Sequence, residues 1–236
     1  MNDVSRIKDI RKNPPPGLPP LRHGERLTQA EFHRRYEAYP DDVKFELIGG
    51  IVYMASPLRI PHALYEEELS FALGLYRRAT PGVQLLPNAT TILGERSEPQ
   101  PDLALRILPE FGGRSRENEE RYVEGPPELV TEVAYSTRAI DMNQKRDDYR
   151  RAGVLEYLVL CVGEPELHWF DFRTGGALRP NRQGVWRSKV FPGLWLDGPA
   201  LLACDSARIT PAVQRGLASR GHAAFVKRLQ AAYRRR

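Results

Sequence analysis

The chain of 236 residues is 41% hydrophobic and 28% charged, enough for one folded domain with tails and unlike a disordered or membrane-embedded composition. Its two cysteines form no CxxC pair and its five histidines show no HxxxH spacing, which sets aside a structural zinc site and a zinc hydrolase of that pattern, while the lack of an apolar leader or span-length run points to a cytoplasmic protein. The net charge of +5 is unevenly placed: residues 206–236 hold eight of the 35 Lys/Arg and no acid, leaving 27 basic against 30 acidic residues upstream, a body of net −3.

Residues 1–26, with "NPPPGLPP", read as a mobile polyproline-rich arm. In "LTQAEFHRRYEA" the Thr28/Glu31 spacing is that of a capping box, and Phe32 and Tyr36 share one face of a short helix. "KFELIGGIVYMAS" reads as a hairpin turning at Gly49-Gly50. A second helix follows in "PHALYEEELSFALGLYRRAT", with Leu64, Leu69, Ala72, Leu73 and Tyr76 as its apolar stripe and Pro81-Gly82 as its stop.

"VQLLPNATTIL" and "DLALRIL" read as neighbouring strands, "PEFGGRSRENEERYVEGPP" as a polar loop, and "ELVTEVAY" as the next strand. The segment "STRAIDMNQKRDDYRRAG" is a helix with Ser136 or Thr137 as cap and Gly153 as stop. Strands in "VLEYLVLCV" and "ELHWFDF", a short β segment with a loop in "GVWRSKVFPGLWLD", and one basic helix over 211–233 complete the chain. The expected class is α/β, with antiparallel hairpins joined to a mixed sheet; the domain spans 27–205 and a basic tail 206–236.

The chemistry lies in the acids. Asp102 opens one strand and Glu132 sits on another, so adjacent strands bring both carboxylates to one edge, where a hard cation such as Mg²⁺ takes oxygen ligands and substrate phosphate. Asp102 alone also reads as a turn cap. An acid among Leu129, Val130 and Val133 is costly unless it is paired or ligates a metal. Asp141, Lys145 and Tyr149, spaced by four, share a helical face that follows Glu132; Lys145 reads equally as a partner of Asp141 or Asp148, and Tyr149 as packing against the sheet. His62 reads as a polar surface residue just inside a helix start, and Glu46 as a partner of a nearby arginine. The tail residues Arg215, Arg220, Lys227 and Arg228 are candidates for phosphate-backbone contacts or simply a solvated terminus.

In order along the chain stand Glu46-Leu47-Ile48-x-Gly50, "SPLRIPH" ending in His62, Pro101-Asp102, "PPELVTEVAYST", "DMNQKRDDYRRAGVLEYLV" and "FPGLWLD". This series, from about Leu27 to Leu202, resembles the Uma-two family, restriction-endonuclease-like proteins of the PD-(D/E)XK nuclease superfamily. The resemblance implies a restriction-endonuclease-like α/β core, its mixed central sheet flanked by helices, with an N-terminal helix and hairpin. It implies that Asp102 and Glu132 hold Mg²⁺ or Mn²⁺ and that Lys145 is the motif lysine moved to the next helix. Glu46, Asp141 and Tyr149 are its accessory residues, and the activity implied is endonucleolytic cleavage of nucleic acid, DNA ahead of RNA. The chain departs from the family in having Ala134-Tyr135 before Ser136-Thr137 where Ser-Pro is usual, Leu158 for Trp, and Cys161 for Asp. Two other readings stay open: a silent nucleic-acid-binding or scaffold protein on the same fold, and a small-molecule phosphodiesterase. A two-fold dimer would suit cutting both strands of a duplex.

Overall fold

A computed structural model describes residues 17–40, 43–55 and 57–235. Of the stretch read as an arm, residues 1–16 lie outside the described residues, while residues 17–26 lie against the domain. Leu21 is buried with Phe32, Phe45, Leu47 and Val52, and Arg26 bridges to Ile51. The packed chain therefore starts ahead of Leu27, because burying Leu21 gives this stretch an anchor that its prolines do not reveal.

Helix α1 (Gln29–Tyr36) begins where the Thr28 Oγ1 accepts the Glu31 N–H at 3.3 Å. Strands β1 (Phe45–Ile48) and β2 (Ile51–Met54) pair with Ile48 opposite Ile51, so Gly49 and Gly50 alone make the turn. Their φ values of +60° and +84° are those that a two-residue hairpin turn needs and side-chain-bearing residues resist.

Helix α2 (Ile60–Arg78) packs Leu69, Ala72, Leu73 and Tyr76 onto the sheet. Leu64, expected in that stripe, is 54% exposed. A five-residue step from 64 to 69 leaves the helix face, and Tyr65, four before Leu69, packs in its place.

The remaining strands are β3 (Val83–Pro87), β4 (Thr91–Ile92), β5 (Leu103–Ile107), β6 (Arg116–Glu117), β7 (Val123–Glu124), β8 (Leu129–Ala134), β9 (Glu156–Cys161), β10 (Glu166–Asp171) and β11 (Gly176–Ala177). The central sheet runs β11-β10-β9-β8-β5-β3, parallel between β8 and β9 and antiparallel elsewhere. It is the mixed sheet the sequence predicts. The polar insert is more than a loop, since β6 and β7 join β4 in a three-stranded sheet; strands of two residues are too short to show an alternating pattern.

Between β8 and β9 the chain crosses over through a π-helical segment (Ile140–Lys145) that runs directly into α3 (Arg146–Ala152) and stops at Gly153, φ +92°. Beyond the sheet come a hairpin of β12 (Val185–Arg187) and β13 (Trp195–Asp197), then α4 (Gly198–Leu202), α5 (Ser206–Leu217) and α6 (Arg220–Tyr233). The single basic helix predicted over 211–233 is thus two. Ser219 caps the second by accepting the His222 N–H at 3.2 Å, and Gly216 seats so closely that an added Cβ would stand 2.1 Å from the Gly193 carbonyl oxygen. Among the described residues no helix is long and apolar enough to cross a membrane.

The sheet has two covered faces. On one, Leu103, Leu105, Leu129, Leu158, Leu160 and Trp169 meet α2 together with Ile209, Val213, Phe225 and Leu229 of α5 and α6. The basic C-terminal segment is therefore part of the core. On the other, Val130, Ala134, Tyr157, Val159 and Cys161 meet Tyr149 of α3. Trp169 is fully buried, with its Nε1–H donated to Glu156 Oε2 at 3.1 Å. Trp169→Ala is expected to cost about 3–5 kcal/mol, seen as a lower urea midpoint at unchanged slope.

Candidate active site

The register of β5 against β8 places Leu103 opposite Thr131 and Ala104 opposite Val130. One residue further on, Asp102 stands across from Glu132, so two acids that are 30 residues apart in sequence meet because two antiparallel strands pair. Alternation puts Glu132 on the same face as Val130 and Ala134, beneath the crossover helix. Asp102 is held in place by the Val133 N–H, donated to its Oδ2 at 2.7 Å.

The helix above supplies the cation. Lys145 Nζ lies 3.0 Å from Glu132 Oε1, 2.9 Å from Glu46 Oε1 and 3.9 Å from Asp141 Oδ1. Tyr149 donates its hydroxyl to the same Glu132 Oε1 at 2.7 Å. Asp141 accepts from Thr137 Oγ1 at 2.5 Å, and Glu46, carried by β1, accepts the Gln100 N–H at 2.8 Å. Asp141, Lys145 and Tyr149 do converge, but through a π-helical turn, a wider coil often found at functional sites. Glu46, Asp102, Glu132, Asp141 and Lys145 line a cleft of about 140 Å³ with Lys44 and Arg59 among its walls, and Tyr149 lies buried behind it.

Burial dominates the electrostatics. It pushes the Glu132 carboxyl well up from the usual range, against the pull of Lys145 and with Asp102, Asp141 and Glu46 adding to the rise. Asp141 is likewise pushed up to about 6 by burial, again opposed by Lys145. For Lys145, burial favours the neutral amine, but Glu132, Glu46, Asp141 and Asp102 outweigh it and hold the ammonium well above the ordinary lysine range. Three carboxylates, Glu46, Glu132 and Asp141, surround one ammonium, and Asp102 lies across the strand pair from Glu132.

Residues 30–199 match the family model described as "Uma2: Putative restriction endonuclease". The chain belongs to the Uma2 family. Among solved structures, it is similar to the "putative nuclease belonging to DUF820 from Anabaena variabilis ATCC 29413", with a TM-score of 0.56 and 13% identity over 72% of this chain and 97% of that one. At that identity the likeness concerns the fold. No curated protein matches the chain.

Three residues of this Uma2 chain enter the cleft without having been singled out as site residues by the sequence. His62, taken for a surface residue, is 7% exposed, with Nε2 3.3 Å from Asp102 Oδ2. Burial lowers its pKa, but the hydrogen bond and charge of Asp102, with Glu66, raise it overall. Gln100 holds Glu46 through its backbone, and Asn88, at φ +50°, donates its N–H to the Asp102 carbonyl at 3.0 Å. The four basic candidates, Arg215, Arg220, Lys227 and Arg228, are exposed on α5 and α6, helices that cover the opposite face of the sheet from Glu132.

Tyr149→Phe tests how the glutamate is aimed. It removes one donor from a buried carboxylate, a loss of about 1–3 kcal/mol, and a lower melting temperature is expected with the Lys145 contact kept.

Proposed function

We propose that this protein is a metal-dependent endonuclease that hydrolyses phosphodiester bonds, with DNA the favoured substrate. The observation that carries the reading is Asp102 set across from Glu132 with Lys145 Nζ 3.0 Å from the latter. The donor set fits a hard divalent ion: among the described residues Glu132 takes its two hydrogen bonds on Oε1 and Asp102 takes its contacts on Oδ2, leaving Oε2 and Oδ1 for a cation.

Asp102 and Glu132 would hold the ion, which when bound polarises the phosphate and lowers the pKa of a coordinated water. Everything else is done by the chain. Tyr149 and Lys145 fix one oxygen of Glu132 and so orient the other. The Lys145 ammonium offsets charge that builds on the phosphate during attack, and Glu46 and Asp141 keep it protonated and in place. Lys44 and Arg59, both exposed at the cleft wall, provide contacts for flanking phosphates.

Plasmid nicking in Mg²⁺ or Mn²⁺ that stops on chelation and resumes when metal is restored is the expected result. The Asp102→Ala chain should be inactive in both metals; nicking at the wild-type rate by that variant would defeat the reading. A panel of single-stranded and duplex DNA, RNA and phosphodiester monomers then sets the substrate class.

A further inference from the structure

We propose that the cavity at Arg106 is a phosphate-binding subsite that holds the substrate strand a few nucleotides from the bond that is cut. Its place on the substrate rests on the nuclease reading above, whereas its affinity for a phosphate group does not.

The sheet puts Arg106 and the acids on one face. Side chains alternate along β5, so Leu103 and Leu105 enter the core with α2 while Asp102, Ala104 and Arg106 share the face of Val130 and Glu132. Four residues of strand separate Arg106 from Asp102, about 13 Å, which is a few nucleotides along a strand. Gln84 stands opposite Arg106 on β3, and β6 with the turn into β7 completes a cavity of about 350 Å³.

Arg106 carries a charge that nothing else in the fold meets directly. It is 4% exposed, yet among the described residues it makes no salt bridge, and its one hydrogen bond runs from Nε to Gln84 Oε1 at 2.8 Å. Nη1 is enclosed without a partner, and Nη2, also without one, is open to the cavity. The neighbouring acids are engaged elsewhere. Glu128 accepts the N–H groups of Ile107 and Arg114 at 2.7 and 3.2 Å, and Glu117 pairs with Arg121. Burial pulls the Arg106 pKa down, with Glu117, Glu128 and Glu110 pulling the other way. A guanidinium keeps its proton at any ordinary pH, so a buried one calls for an anion.

The wall around it matches an oxyanion. Gln84 gives its amide oxygen to Arg106 and keeps its N–H groups unengaged, and Thr90 Oγ1 accepts from Gln100 Nε2 at 2.8 Å, which leaves its own O–H to donate. Arg121, at φ +72° and well exposed, adds a second cation at the rim and offsets Glu117, the one acid in the wall. The uncommitted groups are therefore donors. A phosphate oxygen on Nη2 meets the whole guanidinium charge, which is shared among its nitrogens.

A fluorescein-labelled DNA duplex in EDTA is the probe, read by anisotropy over a salt series, so that neither metal nor cleavage is needed. Arg106→Met keeps the apolar stem and removes the charge. It should bind the duplex about tenfold more weakly, the loss of one charge-assisted contact, with a salt dependence shallower by about one phosphate. Its urea midpoint should match or exceed that of wild type, because an apolar group replaces a buried charge that had no partner. Equal affinity and salt dependence in the two proteins overturns the site. So does a midpoint well below wild type, which would mean that a neighbouring carboxylate already neutralises the guanidinium. Inorganic phosphate separates the sources of the anion: if it raises the melting temperature of wild type but not of Arg106→Met, while duplex affinity is the same in both, the cavity serves free phosphate and the substrate role falls. Weaker duplex binding by Arg106→Met, with no substrate cut by wild type, leaves the site standing and removes the nuclease reading; cleavage by wild type with KM unmoved in Arg106→Met does the reverse.

Discussion

Glu132→Gln is expected to abolish cleavage while the protein stays folded. The amide is nearly isosteric, and its carbonyl oxygen still accepts from the Tyr149 hydroxyl and the Lys145 ammonium, which now meet Glu132 Oε1 at 2.7 and 3.0 Å. Its other end becomes an NH₂ group, which cannot ligate a cation. A polarising metal is worth several kcal/mol to the reaction, and losing about 5 kcal/mol lowers the rate by between three and four orders of magnitude. The fold should tolerate the change, because an acid pushed up by burial is replaced by a neutral group of the same shape. Asp102→Ala should be equally inactive but less stable, since it strands the Val133 N–H and the His62 ring. Nicking rates and urea midpoints on the same samples separate the two effects.

Lys145→Ala should damage both stability and rate. The ammonium is nearly buried and faces Glu46, Glu132 and Asp141 at 2.9, 3.0 and 3.9 Å. Without it three acids confront one another with no cation, and breaking such a buried arrangement costs about 3–5 kcal/mol. Cleavage should fall by roughly two to four orders of magnitude, the usual range for a positioned acid–base or electrostatic group. Mn²⁺ supplies the comparison, because an ion bound only by the folded chain adds about 2.7 kcal/mol at a hundredfold excess over its dissociation constant. The variant should therefore regain more of its melting temperature from Mn²⁺ than wild type gains. Equal shifts in the two proteins would show that the lysine and the ion do not occupy one electrostatic site.

The parts of the site legible in sequence are those set by local rules. Asp102 and Glu132 meet because strand pairing brings the start of one apolar run beside the middle of the next, and both runs show in the text of the chain. The Thr28 cap and the Gly49-Gly50 turn follow from side-chain chemistry at single positions. The spacing of Asp141, Lys145 and Tyr149 puts Lys145 on the face that meets Glu132, although the π-helical turn that carries it leaves no mark in residue spacing. His62 reads as a surface residue but is buried for a physical reason: a histidine in the first turn of a helix is exposed unless a neighbouring strand end covers it, and Asp102 does so only through the tertiary fold. A signal was present, since His62 and Glu66 are four apart on α2, but a histidine-to-histidine spacing does not detect a histidine-to-carboxylate pair. The two C-terminal helices read as one in sequence because no Pro-Gly or Gly-Gly pair interrupts 211–233; the break comes from Ser219 as a cap and from the close seat of Gly216 on Gly193. Glu156, at the start of an apolar strand, carries no sequence signal of its role, yet its buried carboxylate accepts from Trp169, Ser188, Lys189 and Val190 and so pins the loop between β12 and β13 to the sheet.

The proposed role of Asp102 and Glu132 is to hold the cation with which a phosphodiester is cut. Calorimetric titration of Mn²⁺ into wild type and into the Asp102→Ala/Glu132→Ala double variant, with plasmid nicking run on the same samples, puts that to the test. Binding and nicking that are present in wild type and vanish together in the double variant are the predicted result. Nicking that persists at the wild-type rate in the double variant, or wild type that neither binds Mn²⁺ nor nicks, would contradict it.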